Sequence, residues 1–394
     1  MSRNVPPELV IATMLREEGR TGVHTHVRQL RQHLAAQGVR DELVTPFSWA
    51  RPLAVPVFGA RLVVDRLSKP ASVVWYRYWH ELFLRRGLRR VLATAGPCVV
   101  YTQGPPESLA ALAARQGPHQ RVVQAVHFRI SQADEWADKG MIARDGTVFR
   151  RIRRLERAVL PRVDGLMYVS NWARTALVGW LPEAAAVPST VIDNFVSPVS
   201  AGPGGEPLAD LVTMGHLEPV KNHRYMLEVL AEAARTGRRY SLDVYGEGPL
   251  RGDLLRQATA LGLDGQVRFR GFDPGVRSLL PRYRAYVHAS YSESSSLAII
   301  ESMAAGLPIV AGNIGPIAEL CTEGVEARFW PLDDPAKAAA VLSGLLDSEP
   351  DRLRAAAAAQ ERFRREFDAE VIAPRLWAFL RESQSATGPG SPRD

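Results

Sequence analysis

Short apolar runs alternate with stretches of helical apolar spacing along almost the whole chain. That order fits a parallel sheet whose strands are joined by crossover helices, and it fits little else. In the first half the expected strands are Leu9–Leu15, Glu42–Pro46, Cys98–Thr102, Val122–His127, Gly165–Ser170 and Thr190–Asn194, with helices such as Val23–Gln37 and Pro106–Arg115 between them. Ser197–Pro207 is dominated by Pro, Gly and Ser and reads as a linker. The second half repeats the pattern, with strands expected at Leu211–Met214, Ser241–Tyr245, Val267–Arg270, Ala285–Ala289, Pro308–Ala311 and Arg328–Pro331. Helical spacing covers Met226–Arg235, Pro249–Leu261, Asp334–Leu346, Ala355–Phe367 and Val371–Arg381. The fold class is therefore α/β, with two Rossmann-like domains facing across a cleft. Ligands of such sheets bind beyond the carboxyl ends of the strands.

The chain length of 394 residues suits two domains. No apolar run reaches the roughly eighteen residues a spanning helix needs, so a cytoplasmic protein is expected. Residues 1–8 lack the basic-then-apolar pattern of a signal peptide. Two cysteines, Cys98 and Cys321, lie far apart in apolar surroundings, which argues against a disulfide framework or a zinc site. Net charge is 49 − 42 = +7, yet only four residues are lysine: Lys69, Lys139, Lys221 and Lys337. The arginine excess fits the coding bias of a GC-rich genome better than a nucleic-acid partner. A mild basic surplus also suits phosphorylated ligands or an anionic membrane.

The densest chemistry lies in 285–311. A strand ends near Ala289, and a polar loop with Glu293 follows. Ser294, Ser295 or Ser296 can cap the next helix, Gly306 can end it, and Pro308 precedes a new strand. The helix start offers unpaired N–H groups to a phosphate, and a carboxylate matches a vicinal diol. On spacing alone, Glu293 and Glu301 are equally well explained as helix-surface residues.

The stretch resembles the signature of family 4 glycosyltransferases, retaining bacterial enzymes of the GT-B fold. Two glutamates with seven residues between them precede Met303-Ala304-Ala305-Gly306 and Pro308. Met214–Asn222 resembles the family's Gly-Arg-Leu-x-x-x-Lys element, Tyr245–Leu250 its Gly-x-Gly-Pro turn and Val267–Phe272 its Val-x-Phe-x-Gly strand. Ile192–Asn194 resembles the strand end before the linker. In the first half, Gly19–His24 is similar to the glycine loop and Ala125–His127 to the strand-end histidine.

The resemblance implies an acceptor-binding domain over residues 1–196, a linker at 197–208 and a nucleotide-sugar-binding domain at 209–368. A C-terminal helix, 369–382, would pack back on the first domain, and 383–394 would be a disordered tail. It implies that Lys221 contacts the donor diphosphate, that Gly22 lets the backbone approach it, and that His127 faces the transferring sugar. Glu301 would bind ribose, Glu293 the sugar, and the backbone at Ser296 and Leu297 the phosphates. Phe272 would pack on the base, or equally be a core phenylalanine. Two departures stand out. The arginine after the family's glycine is His216, leaving phosphate stabilisation to Lys221, the helix end and a further cation such as Arg20 or Arg277. The Gly-x-Gly after the first glutamate is Ser294-Ser295-Ser296. The implied reaction is metal-independent hexosyl transfer from a nucleotide-diphosphate sugar, a co-substrate, with no cofactor. The acceptor would be a polysaccharide, a lipid-linked glycan or a small molecule.

Val73–Val91 mixes aromatic and basic residues and reads either as a surface docking on anionic lipid or as a core-packing element with an arginine-rich outer face. Arg150–Arg157 reads as a solvated helix face. No nucleic-acid motif accompanies either stretch. The expected partners are donor and acceptor, with peripheral membrane contact open and a monomer or homodimer equally compatible. A nicotinamide-dependent oxidoreductase is disfavoured because Gly19–His24 is not Gly-x-Gly-x-x-Gly. A non-catalytic nucleotide-sugar-binding protein is suggested by His216 and the serine triplet, and opposed by Lys221, Glu293 and Glu301.

Overall fold

Leu9–Ala12 contains no polar residue, and in the computed structural model it is a strand with every side chain withdrawn from solvent. Central strands of a parallel sheet are covered on both faces, so an unbroken apolar run is what they require. The structure describes residues 6–19, 21–48, 51–199 and 206–385. Arg20, residues 200–205 of the predicted linker and 386–394 of the predicted tail lie outside the described residues.

Among the described residues two parallel sheets form, each of six strands. The first holds β1 (Leu9–Ala12), β2 (Asp41–Val44), β3 (Cys98–Thr102), β4 (Gln120–Val126), β5 (Gly165–Tyr168) and β6 (Ser189–Val191), in the order β2-β1-β3-β4-β5-β6. The second holds β7 (Leu211–Met214), β8 (Leu242–Tyr245), β9 (Val267–Gly271), β10 (Ala285–His288), β11 (Ile309–Gly312) and β12 (Ala327–Trp330), in the order β12-β11-β10-β7-β8-β9. Each expected strand is present, with ends moved by up to three residues. Leu9–Leu15 stops early because the Leu15 amide turns to the Thr13 hydroxyl, 3.1 Å away, instead of to a neighbouring strand.

The crossover helices of the first sheet are α1 (Gly22–Ala36), α2 (Arg51–Leu67), α3 (Lys69–Leu92), α4 (Pro105–Ala114), α5 (Gln132–Asp138), α6 (Thr147–Val159) and α7 (Asn171–Trp180). Those of the second are α8 (His223–Arg235), α9 (Arg251–Ala260), α10 (Val276–Leu279), α11 (Leu297–Ala304), α12 (Gly315–Leu320), α13 (Pro335–Asp347) and α14 (Glu349–Glu366); α15 (Ala369–Ser385) ends the described chain. Side-chain oxygens of Ser68, Ser131, Ser170, Asp334 and Ser348 accept from first-turn amides of the helices they precede. They satisfy donors that would otherwise be orphaned, which fixes where those helices begin.

By internal contacts the chain divides into a first unit, up to Asp193 together with the residues from Ile372 on, and a second unit, Asn194–Val371. Within the first, Arg121 Nε donates to the Ser383 carbonyl at 3.1 Å, which holds the end of α15 against the start of β4.

The Val73–Val91 stretch resolves into α3. Val73, Phe83, Leu84, Leu88 and Val91 are all buried, so this side of the helix faces the core. In α6, Arg150, Arg151, Arg154 and Arg157 are solvated as expected, while Arg153 turns to Asp134 at 2.6 Å. No described helix is long and apolar enough to cross a membrane.

Candidate active site

In the second sheet β7 and β10 are neighbours, yet the chain leaves β7 toward β8 on one side and β10 toward β11 on the other. Loops that part in this way open a crevice at the carboxyl edge. The loop after β7 carries Gly215–Lys221, and the loop after β10 carries Ala289–Ser296. The Tyr291 amide donates to the Val220 carbonyl at 3.0 Å and ties the two together.

At this point Lys221 Nζ donates to Glu293 Oε1 at 2.6 Å, and His288 Nε2 lies 3.1 Å from the same oxygen. Trp330 Nε1 donates to the His288 carbonyl at 3.1 Å and holds that strand end in place. The Glu293 side chain is only 9% exposed. Burial alone would raise its pKa, but the Lys221 charge and the His288 contact outweigh it and hold the carboxyl down at about 2. A folded-state pKa below the unfolded value gives stability that is present above the unfolded pKa and lost as pH falls through the folded one. The ionised Glu293 therefore contributes stability at neutral pH, on the order of a few kcal/mol, that is lost as pH falls from about 4.5 toward about 2. Urea titrations at stepped pH check this: Glu293→Gln is expected to be less stable at pH 7 and flatter across that acid window than wild type.

Ser296 sits at the N-cap position of α11, but its side chain makes no capping bond, in contrast to the serine cap expected from sequence. The first-turn amides of α11 are thus left without a side-chain cap from Ser296. The hydroxyls of Ser290 and Ser295 are buried without a protein partner. Buried hydroxyls in such a position are normally satisfied by water or ligand. Gly306, at φ 72°, ends α11 with its amide on the Met303 carbonyl at 2.9 Å.

Glu301 lies one turn further along α11, and Arg277 Nε of α10 is 3.5 Å from its Oε1. Arg277 also donates to the Ser197 carbonyl at 2.6 Å. Helix α10 follows Phe272, so this contact ties Glu301 to the loop after β9. Phe272 is 38% exposed and is not a core residue. Strand β9 is three strands from β10, about 14 Å along the sheet edge at the usual strand spacing. His216 is exposed in the loop after β7.

The turn Tyr245–Leu250 is explained by backbone contact. The Gly215 amide donates to the Tyr245 carbonyl and the Leu217 amide to that of Glu247, both at 3.0 Å. Gly246 has φ 141°, and a Cβ there would sit 1.9 Å from the Gly215 carbonyl oxygen. One at Gly248 would sit 2.5 Å from that of Leu217.

Gly22 and His127 belong to the first unit. Gly22 opens α1, where Thr21 Oγ1 lies 2.7 Å from His24 Nδ1. His127 follows β4, with Nε2 2.9 Å from Gln103 Oε1. Burial pushes its pKa down to about 4, so the imidazole is neutral at pH 7. Among the described residues no cluster of three or more His, Cys, Asp or Glu is arranged to hold a metal ion.

His288 is a site residue that sequence reasoning missed. A polar residue at the carboxyl end of an otherwise buried strand was the available signal, because Tyr286 and His288 must share a face of β10. Ser290 gave no such signal.

Two parallel α/β units with a charged crevice at a topological switch point define the class of GT-B transferases. Residues 21–194 match the glycosyl transferase 4-like domain and residues 205–362 match glycosyl transferases group 1. The chain belongs to the family 4 glycosyltransferases of the GT-B fold. It is 30% identical over 237 residues to glycogen synthase of Mycobacterium tuberculosis, covering 58% of this chain and 56% of that protein. The chain spans about half the length of the curated relatives it matches. Sucrose-phosphate synthase from Thermosynechococcus elongatus shares the fold with TM-score 0.73 at 17% identity, over 97% of this chain and 100% of that one. Anabaena Alr3699/HepE, solved with UDP-glucose, does so with TM-score 0.65 at 15% identity, over 95% and 99%.

Proposed function

We propose that this chain transfers a hexose-type sugar from a nucleoside-diphosphate sugar to an acceptor hydroxyl, with retention of configuration and without a metal or other cofactor. The observation that carries this reading is the half-buried Lys221–Glu293 pair at the β7/β10 switch point. The UDP-glucose bound by the Anabaena neighbour supports the donor class.

The diphosphate would lie between Lys221 and the first-turn amides at Leu297, with the unpartnered Ser290 and Ser295 hydroxyls beside it. Glu293 would take the sugar hydroxyls. Glu301, tied to the Phe272 loop through Arg277, would take the ribose, and the exposed Phe272 ring would pack on the base. As the C1–O bond to the diphosphate breaks, negative charge grows on the leaving oxygens. Lys221 and the amides meet that charge already oriented, and preorganised stabilisation of this kind usually contributes more to the rate than any other effect. The acceptor oxygen bonds to C1 from the same face, and its proton passes to a phosphate oxygen of the leaving group.

A thermal-shift panel of nucleotide sugars tests the reading. The correct donor, at about a hundred times its dissociation constant, is expected to stabilise by about 2.7 kcal/mol. Slow donor hydrolysis without acceptor, unaffected by EDTA, is expected to follow, and the anomeric configuration of the product checks retention. If no nucleotide sugar stabilises the protein, the reading fails. Phe272→Ala is expected to weaken nucleoside diphosphate and donor equally, by roughly fivefold or more in Kd, since stacking on a base is worth about 1–3 kcal/mol. Titration calorimetry separates that outcome from a loss confined to the sugar.

A further inference from the structure

Helices α2 and α3 form an antiparallel hairpin in the first unit. Trp75 Nε1 donates to the Val57 carbonyl at 2.9 Å, Arg61 Nε donates to Ser72 Oγ at 3.2 Å, and the Phe58 and Phe83 rings lie 5.6 Å apart. Those contacts use the inner faces. On the outer face of α2, Val55 is 70%, Leu62 70%, Val63 58% and Leu67 81% exposed. At 100° per residue, Val55, Gly59, Leu62, Val63, Arg66 and Leu67 fall within one stripe. On α3, beyond the Ser68 turn, Val74 and Tyr78 are also exposed. Six of the twelve large apolar side chains most exposed among the described residues lie between Val55 and Tyr78, so this is a patch and not scatter.

The same outer face of α3 then changes character. Arg86 and Arg89 are exposed one and two turns beyond Leu82, and Arg90 follows. Within the apolar stripe the charged member is Arg66, and nearby Asp65 is neutralised by Lys69 at 2.6 Å. Among the described residues an exposed aliphatic stripe thus runs into an arginine cluster with no unpaired acid between them, and this is complementary to one kind of surface. Acyl chains accept the aliphatic residues and lipid phosphates accept the guanidinium groups. A second copy stacked in the same direction would bring these arginines face to face, which the charge pattern opposes.

We propose that the outer face of the α2–α3 hairpin docks the protein on an anionic lipid bilayer. The aliphatic stripe enters the headgroup boundary, and Arg66, Arg86 and Arg89 rest on phosphate. The apolar contact is thus made mainly by α2, whose residues lie before the Val73–Val91 stretch that attracts attention in the sequence. The docking does not depend on glycosyl transfer and can be tested apart from it.

The experiment is sedimentation of the full chain with vesicles of phosphatidylcholine alone or mixed with phosphatidylglycerol. Binding is expected only to the anionic vesicles and should fall with salt. The double variant Leu62→Glu/Leu67→Glu is expected to lose binding, and Arg86→Gln/Arg89→Gln to weaken it on the order of tenfold. All four positions are exposed, so both variants are expected to keep the wild-type melting temperature. Lys221→Ala is expected to sediment normally even where donor binding is lost, so failure of one reading leaves the other intact. The proposal is overturned if anionic vesicles do not bind the chain, or if Leu62→Glu/Leu67→Glu binds as wild type does. It is equally overturned by a dimer in vesicle-free buffer that the same variant converts to monomer.

Discussion

Lys221→Ala is expected to reduce glycosyl transfer by a factor on the order of 10² to 10³, the usual cost of removing one preorganised donor from developing oxyanion charge. The structure adds a second consequence. Glu293 is almost fully buried, and its ionised state rests on Lys221 and His288. Without Lys221, burial dominates and the carboxyl pKa rises from about 2. A protonated Glu293 keeps its shape but loses much of its strength as an acceptor for sugar hydroxyls. The variant should therefore lose turnover and donor affinity together, with a pH dependence in affinity that wild type lacks near neutrality. Breaking a buried pair also costs about 3–5 kcal/mol when the remaining charge stays uncompensated. Protonation of Glu293 limits that cost, so the variant is expected to fold with a lowered melting temperature. Turnover and calorimetric titration against pH, compared with Glu293→Gln, measure both effects. Wild-type turnover in Lys221→Ala and in Glu293→Ala would sink the assignment.

Gly246→Ala is expected to be the most destabilising small substitution in the second unit, by at least about 3 kcal/mol. A Cβ at 1.9 Å from the Gly215 carbonyl cannot be absorbed by a side chain that swings away, because both contact partners are backbone. The two turns would have to separate and give up the Gly215–Tyr245 and Leu217–Glu247 hydrogen bonds, and His216 would shift with them. Gly262→Ala is the control. Gly262 also has positive φ, at 69°, but nothing lies within 4 Å of a Cβ there, so only the conformational cost of about 1 kcal/mol applies. Urea unfolding midpoints of the two variants should differ clearly. Equal midpoints would mean that the close approach of the two turns carries no energetic weight.

Strand positions were readable because a buried parallel strand needs an unbroken apolar run, and the intervening helices announce themselves by spacing and caps. Gly306 and Pro308 marked the end of α11 for the same local reason. Phe272 illustrates the limit. An aromatic residue after a strand is compatible with core or surface, and only the position of β9 at the sheet edge leaves it exposed. The α2–α3 hairpin shows a second limit. Both helices are apolar on more than one side, so the sequence alone could not decide which side meets the core. In α3 the core took Val73, Phe83 and Leu84, whereas in α2 it left Leu62 and Leu67 in solvent.

By itself the sequence determined the alternating elements, the carboxylate pair on one loop–helix unit and the family resemblance, because each depends on residues close together in the chain. What only the tertiary structure decided was neighbourhood. Lys221 and Glu293 are 72 residues apart, and they meet at 2.6 Å because β7 and β10 pair at the point where the strand order reverses. Strand order is set by the packing of whole helices against the sheet, a long-range balance of buried area that no local pattern records. The same balance placed His288 beneath Glu293 and fixed that carboxylate as a charge.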